Sequence, residues 1–320
     1  MNHQSSIINH QSTRYAVGID LGGTFVKFAL ISDKGEMIFS DKLPIGSQAK
    51  RDDILNTLNR AIKLSLEHAK SNGMDVSGIG IGTPGVCDNG VVLGGAENLD
   101  GWVNIDLARI FTEAFHLPVL IDNDANVMGL GEAIYGAARN CSDVIFITVG
   151  TGIGGAVIAN GKLYGGYRNR GAELGHITVD HKGIACSCGG RGCLEVYAST
   201  SALIRQYAER KGREERETDG YYIVSKFKEG EQEAVDCMRE HTEYLGHGIA
   251  SFVNVFAPQK VVIGGGISEA GPFYIDMIKA ATFKYAMPDC AVHTDVVGAA
   301  LGNRAGCLGA ASLIFRNSAS

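Results

Sequence analysis

The 320-residue sequence has no apolar run of the length needed to cross a bilayer as a helix. Runs such as 144–149 and 261–263 are of strand length or shorter, and each is followed by glycine. Residues 1–13 are polar and lack the apolar centre of a secretion signal, so they read as a disordered tail and the expected address is cytoplasmic. A basic cluster is also missing. The net charge is −6 with lysine and arginine scattered, which argues against nucleic acid or an anionic membrane as the main partner and favours a small molecule. There is no Gly-x-x-x-x-Gly-Lys-Ser/Thr segment, so a nucleotide here is not held by a P-loop.

What is present is a soluble globular composition, 45% hydrophobic, in a chain long enough for two cores. Of the eight cysteines, Cys87, Cys141, Cys237, Cys290 and Cys307 are dispersed without ligand spacing and read as packing residues or inert thiols. Many of the 43 glycines fall at the ends of β-branched runs, where sharp turns or close ligand approach favour a residue without Cβ.

Residues 15–20, 25–32 and 36–41 read as three antiparallel strands, 52–72 as an amphipathic helix and 79–83 as a buried strand. A helix at 107–115, a strand at 118–121 and a helix at 125–138 follow, the last entered through Asp122-Asn123-Asp124. Residues 144–161 then repeat the opening pattern of strand, glycine turn and strand, closing on an Asn160-Gly161 turn. An offset of 127 superposes Gly23-Thr24 on Gly150-Thr151 and Ala29 on Ala156. Two such hairpins facing across a cleft can hold a polyphosphate between them, because backbone N–H groups supply fixed positive dipoles without bulk.

Gly150-Thr151-Gly152-Ile153-Gly154-Gly155 also satisfies a Gly-x-Gly-x-x-Gly pattern, but a dinucleotide fingerprint must open a helix, whereas 156–161 reads as a strand entering a hairpin. Asp20, ending the first strand beside Gly22-Gly23-Thr24, either caps the turn or holds Mg2+ next to phosphates; its pairing with the second hairpin favours the metal. Asp122 and Asp124 stand at a helix N-terminus, where a carboxylate stays ionised and can take a hydroxyl proton or simply cap the helix. His176 with Cys186, Cys188 and Cys193 makes a complete Cys3His zinc set, with His181 as the competing nitrogen. Four protein ligands leave no position for an activated water, so the zinc is expected to be structural. Glu173 and Glu195 flank that set and are candidates for reading sugar hydroxyls. Val261-Val262-Ile263 running into Gly264-Gly265-Gly266 is a buried strand ending either in a tight turn or in a place where a flat ring or ribose such as adenosine can approach the backbone closely.

Taken together, Asp20-x-Gly22-Gly23-Thr24, Gly82-Thr83-Pro84-Gly85, Asn98-Leu99-x-x-Trp102, Asn123-Asp124, the second glycine turn, Glu173-x-x-His176 and Cys186-x-Cys188-Gly189-x-x-Gly192-Cys193-x-Glu195 resemble the ROK family of bacterial glucokinases and N-acetylhexosamine kinases, from Tyr15 to nearly the C-terminus. The resemblance implies an α/β, two-lobed actin-like ATPase (ribonuclease H-like) fold, with duplicated mixed-sheet domains and an inter-lobe cleft. Residues 1–14 would be the tail, 15–122 with 305–320 the N-terminal lobe, and 123–304 the C-terminal lobe with its zinc loop.

The resemblance further implies that Asp124, not Asp122, is the general base. Asn98, Asn123, Asp124, Glu173, His176 and Glu195 would contact sugar. Asp20, Gly22, Gly23, Thr24, Gly150, Thr151, Gly152, Gly154 and Gly264–Gly266 would bind ATP with Mg2+. The last helix, 305–314, is expected to pack back onto the first lobe, and homodimers are usual among relatives. Many relatives place lysine directly after the threonine; here Phe25-Val26-Lys27 follows Thr24, so Lys27 stays outside the expected site. The expected activity is ATP-dependent phosphorylation of a hexose at its 6-hydroxyl, glucose first and then an N-acetylhexosamine (N-acetylglucosamine or N-acetylmannosamine) or fructose. A sugar-responsive repressor would need a helix-turn-helix ahead of the sugar domain, and only about a dozen polar residues precede Tyr15.

Overall fold

The structure is a computed structural model that describes residues 13–46, 49–96 and 99–317. Most of the expected tail, 1–14, therefore lies outside the described residues, as does Asn98. The first sheet contains β1 (Tyr15–Leu21), β2 (Phe25–Ser32), β3 (Met37–Pro44), β4 (Val76–Thr83) and, later in the chain, β8 (Val119–Asn123). Between the last two, β5 (Val86–Asp88), β6 (Val91–Gly94) and β7 (Ile105–Asp106) form a small separate sheet. The second main sheet contains β9 (Val144–Val149), β10 (Ile153–Ala159), β11 (Lys162–Leu163), β12 (Lys260–Gly264) and β13 (Asp295–Gly298).

The two main sheets have the same order, β3-β2-β1-β4-β8 and β11-β10-β9-β12-β13. In each, an antiparallel meander is extended by two parallel strands. The internal repeat read from glycine turns is thus a repeat of topology, with the β1–β2 and β9–β10 hairpins in equivalent places. This is the doubled mixed-sheet arrangement of an actin-like ATPase.

The helices are α1 (Arg51–Ser71), α2 (Leu107–Phe115), α3 (Asp124–Tyr135), α4 (Glu195–Ala198), α5 (Thr200–Lys211), α6 (Gly220–Glu229), α7 (Gln232–Phe256), α8 (Pro272–Tyr285), α9 (Pro288–Ala291) and α10 (Ala305–Asn317). Each sheet buries β-branched and leucine side chains against its own helices. Ile54, Leu58 and Ile62 of α1 pack with Val17, Ile19 and Ile79, whereas Leu245, Ile249 and Val253 of α7 pack with Ile145, Ile147 and Val261.

As expected, α10 returns to the first sheet. The approach is close enough that a Cβ on Gly80 would lie 1.8 Å from the Ala310 carbonyl oxygen, so only glycine fits there. Between the sheets, α3 packs on α10 on one side and on Phe146 and Ala156 of the second sheet on the other. Its Glu132 is fully buried and accepts N–H groups from Ala137, Ala300 and Leu301, tying the end of α3 to the segment before α10. Among the described residues no helix is long and apolar enough to cross a membrane.

Element ends differ from expectation for identifiable reasons. The strand expected at 118–121 continues to Asn123 because β8 keeps pairing with β4 as far as Thr83. Asp122 and Asn123 are therefore strand residues, and Asp124 is the first residue of the helix. That helix stops at Tyr135 and not at 138, since Gly136 leaves the helical conformation and the Glu132 carboxylate accepts the Ala137 N–H. The 36–41 strand runs from 37 to 44, extended by its pairing with β2.

Candidate active site

The chain enters the cleft where β8 hands over to α3. Asn123 caps the helix, its Oδ1 accepting from Ala125 N at 2.9 Å and Asn126 N at 3.3 Å, while its Nδ2 donates to the Gly85 carbonyl at 3.1 Å. Asp124 Oδ1 also accepts from Ala125 N at 2.9 Å. Burial, together with the nearby charges of Asp20 and Glu173, pushes the Asp124 carboxyl up to about 6. Three acidic groups from β1, α3 and the loop before His176 thus share one electrostatic neighbourhood.

Asp122 is held by its neighbours. Its Oδ1 accepts from Asn123 N at 2.7 Å, Asn126 Nδ2 at 2.8 Å and Asn169 Nδ2 at 3.2 Å. Asp122 accepts from three side-chain or backbone donors and Asp124 from fewer, so Asp124 keeps more of its carboxylate capacity for a ligand.

Asp20 is buried at the end of β1, and desolvation raises its carboxyl above the ordinary range against the opposing pull of Lys27. Lys27 Nζ lies 3.6 Å from Asp20 Oδ2 and donates to Asn303 Oδ1 at 3.0 Å. These three side chains line a cavity of about 380 Å³ that continues to Gly264, Gly265 and Gly266 of the second half. Lys27, outside the sequence-derived set, is therefore in the cleft: β2 is antiparallel to β1, and its register puts Lys27 directly opposite Asp20. Its position three residues beyond the turn was the available signal.

A second cavity of about 330 Å³ adjoins the first through Gly266 and Tyr221. Its walls include Gly150, Thr151, Ile204, Val224, Ile267 and Ala270, an apolar slot beside a glycine turn. Gly265 has φ of +92°, and a Cβ there would lie 2.1 Å from the Val149 carbonyl oxygen. No other residue fits this join between β12 and the cavity.

The expected glycines do different work. Gly22, Gly23 and Thr24 form the partly open turn between β1 and β2, closed by Gly22 N donating to Phe25 O at 3.0 Å. Gly150 and Thr151 border the apolar cavity. At Gly152 the space of a side chain is taken by Glu195, whose Oε2 accepts from Ile153 N at 2.8 Å. Gly154 packs against Ala125 and Thr148. Glu195 thus reaches the second glycine turn with one oxygen and keeps the other available.

The cysteine loop closes as its spacing implies. His176, Cys186, Cys188 and Cys193 bring their ligand atoms within 4.8 Å of one another, and His181 is not in the group. His176 Nδ1 lies 3.6 Å from Cys186 Sγ, and Cys188 Sγ lies 3.6 Å from Cys193 Sγ. A tetrahedral site with Zn–S bonds of about 2.3 Å has edges of about 3.8 Å, so donor set and spacing both fit zinc. Glu173 directly precedes the short helical turn Leu174–His176, and Glu195 opens α4 two residues after Cys193, so both are carried on the loop these four residues would clamp.

Comparison with known proteins agrees with this geometry. A glucokinase of Halalkalibacterium halodurans is 34% identical over 317 residues, covering 95% of this chain and 96% of that protein. A xylose repressor of Bacillus spizizenii is 28% identical, covering 97% of this chain and 79% of the repressor. The crystal structure of a ROK family glucokinase from Streptomyces griseus in complex with glucose and AMPPNP superposes with a TM-score of 0.81 at 31% identity, covering 94% of this chain and 99% of that one. The ROK family model matches residues 16–317, and this chain belongs to the ROK family.

Proposed function

We propose that this chain is an ATP-dependent sugar kinase that phosphorylates the 6-hydroxyl of a hexose, glucose first, with an N-acetylhexosamine or fructose as the alternative acceptor. The observation that carries the reading is Asp124: a carboxyl at a helix N-terminus, near enough to Asp20 and Glu173 to feel their charges, with its proton affinity raised to about 6. Such a group is ionised at neutral pH yet basic enough to take a hydroxyl proton. In this reading Asp124 accepts the proton of O6 as that oxygen attacks the γ-phosphorus, and ADP leaves.

Asn123, Glu173, His176, Glu195 and Asn98 are assigned to the sugar. The apolar cavity beside Gly150 and Gly266 suits adenosine, and the Asp20–Lys27 cavity suits the phosphates. Mg2+ supplies charge neutralisation on the transferring phosphoryl group when bound, and Asp20 is the side chain to hold it, directly or through water. A structural zinc on His176, Cys186, Cys188 and Cys193 would fix the loop bearing Glu173 and Glu195. With His176 Nδ1 turned to the thiols, its Nε2 is left for substrate. Lobes of 15–122 with 305–320 and of 123–304, a cytoplasmic address and a homodimer belong to the same proposal; packing of α10 on the first sheet supports the lobe division.

A coupled ADP-release assay over glucose, mannose, fructose, N-acetylglucosamine and N-acetylmannosamine tests it, with glucose expected to give the highest kcat/KM. The similarity to xylose repressors favours a second reading, a sugar-responsive regulator. Sugar binding without phosphoryl transfer to any member of the panel would establish that reading and remove the first.

A further inference from the structure

The segment 164–172 leaves the second sheet after β11, crosses to residues of the first half, and returns to deliver Glu173. Arg168 Nε pairs with Asp88 Oδ2 at 3.0 Å, and Asn169 Nδ2 donates both to the Cys87 carbonyl at 2.9 Å and to Asp122 Oδ1 at 3.2 Å. Both partners of Asn169 are acceptors, so its two amide hydrogens are fully used.

The strap is held in an unusual backbone state. Arg168, Asn169 and Ala172 have φ of 54°, 55° and 65°, three non-glycine residues in the left-handed region within five positions. The Asn169 side chain folds back over Gly165, its Oδ1 1.6 Å from where a Cβ would stand, and Gly171 N donates to Gly165 O at 2.6 Å. Strain of this kind persists only when surrounding contacts over-determine it.

Those contacts run to the reaction centre. Asp122 is two residues before Asp124 and shares the β8–α3 junction with Asn123, while Asn169 is four residues before Glu173. Asn169 is the side chain that joins the loop bearing Glu173 and His176 to the junction bearing Asn123 and Asp124.

We propose that Asn169 is a positioning residue for the reaction. Through its hydrogen bonds to Asp122 and Cys87, it sets the sugar-reading loop in register with the Asp124 junction across the cleft. The inference rests on the sugar-kinase reading of the same site. It predicts a cost in sugar affinity and turnover and none in nucleotide affinity, because the cavities beside Gly150 and Asp20 do not include the strap.

Two variants separate this from a role in folding. Asn169→Gly removes the carboxamide and suits the left-handed backbone; Asn169→Asp keeps the shape but brings a carboxylate against Asp122. With glucose as the probe, Asn169→Gly is expected to lower kcat and weaken glucose binding, read by calorimetry, each by about tenfold or more, the scale of a lost hydrogen bond to a charged group. KM for ATP should stay within about twofold. Asn169→Asp should lose more, since like charges then face each other.

In an Asp122→Ala background, Asn169→Gly should cost less than it does in the parent, because one of its two bonds is already gone. Full additivity in that cycle, unchanged glucose affinity and turnover in Asn169→Asp, or an equal rise in KM for ATP would each overturn the proposal. A parent protein that binds glucose without transferring phosphate would instead count against the kinase reading. The calorimetric arm would then still decide the role of Asn169.

Discussion

Replacing Asp124 by asparagine should abolish turnover and, at neutral pH, make the protein more stable. The folded-state carboxyl is raised from 3.8 to about 6 by burial and by the charges of Asp20 and Glu173. A raised carboxyl pKa means that the native state holds the proton more tightly than the unfolded chain. Its contribution is favourable at low pH and is lost as pH rises through about 6. Two units correspond to about 3 kcal/mol at most, at about 1.4 kcal/mol per unit. Asp124 retains partial solvent exposure, which screens the effect to about 1–2 kcal/mol.

Asparagine keeps an oxygen for Ala125 N and carries no charge, so Asp124→Asn should gain about that amount at pH 7.5. In a chain of this size that is a rise in Tm of about 1.5–3 °C. Near pH 4 the advantage should shrink to a few tenths of a kcal/mol, because the parent carboxyl is then protonated in the native state. Turnover should fall by at least about 100-fold. The parent's kcat/KM should climb with pH, half-maximal near 6. Thermal and urea unfolding of parent and variant at both pH values, with a coupled assay at pH 7.5, test this. A variant no more stable than its parent at pH 7.5, or equally favoured at both pH values, would refute the burial argument; retained turnover would refute the base assignment.

Two further outcomes follow from named contacts. Glu132→Ala leaves the N–H groups of Ala137, Ala300 and Leu301 without their carboxylate and should cost at least about 3 kcal/mol in urea unfolding, whereas a loss under about 1 kcal/mol would mean that the strut is dispensable. Metal analysis should find about one zinc per chain. Its removal by a chelator, or Cys188→Ser, should weaken glucose binding while far-ultraviolet circular dichroism stays near that of the parent; a metal-free protein with unaltered glucose affinity would overturn the clamp.

Much of this molecule was legible in the chain because its signals are local. The α2 helix and the β2 strand match their expected bounds, since an apolar periodicity and its flanking turns lie within a dozen residues. The Asn160-Gly161 turn adopts the positive φ values its residues favour, 51° and 72°. The Cys3His group closes because short spacing leaves the four side chains little freedom to be elsewhere. The long α7 and its neighbours α5, α6 and α8 carry no motif; their identity rests on packing against the second sheet.

The sequence by itself determined the chemical inventory: the glycine turns, the acid at a helix entrance, the metal ligands, and the family that carries them in that order. Only the tertiary structure decided which of these groups face one another. Lys27 meets Asp20 through antiparallel register, Glu132 gathers N–H groups 168 and 169 residues away, and Asn169 reaches Asp122 from the opposite half. These contacts lie between residues far apart in the chain. No local propensity encodes them, and they come into being only when the two sheets are set across a common helix.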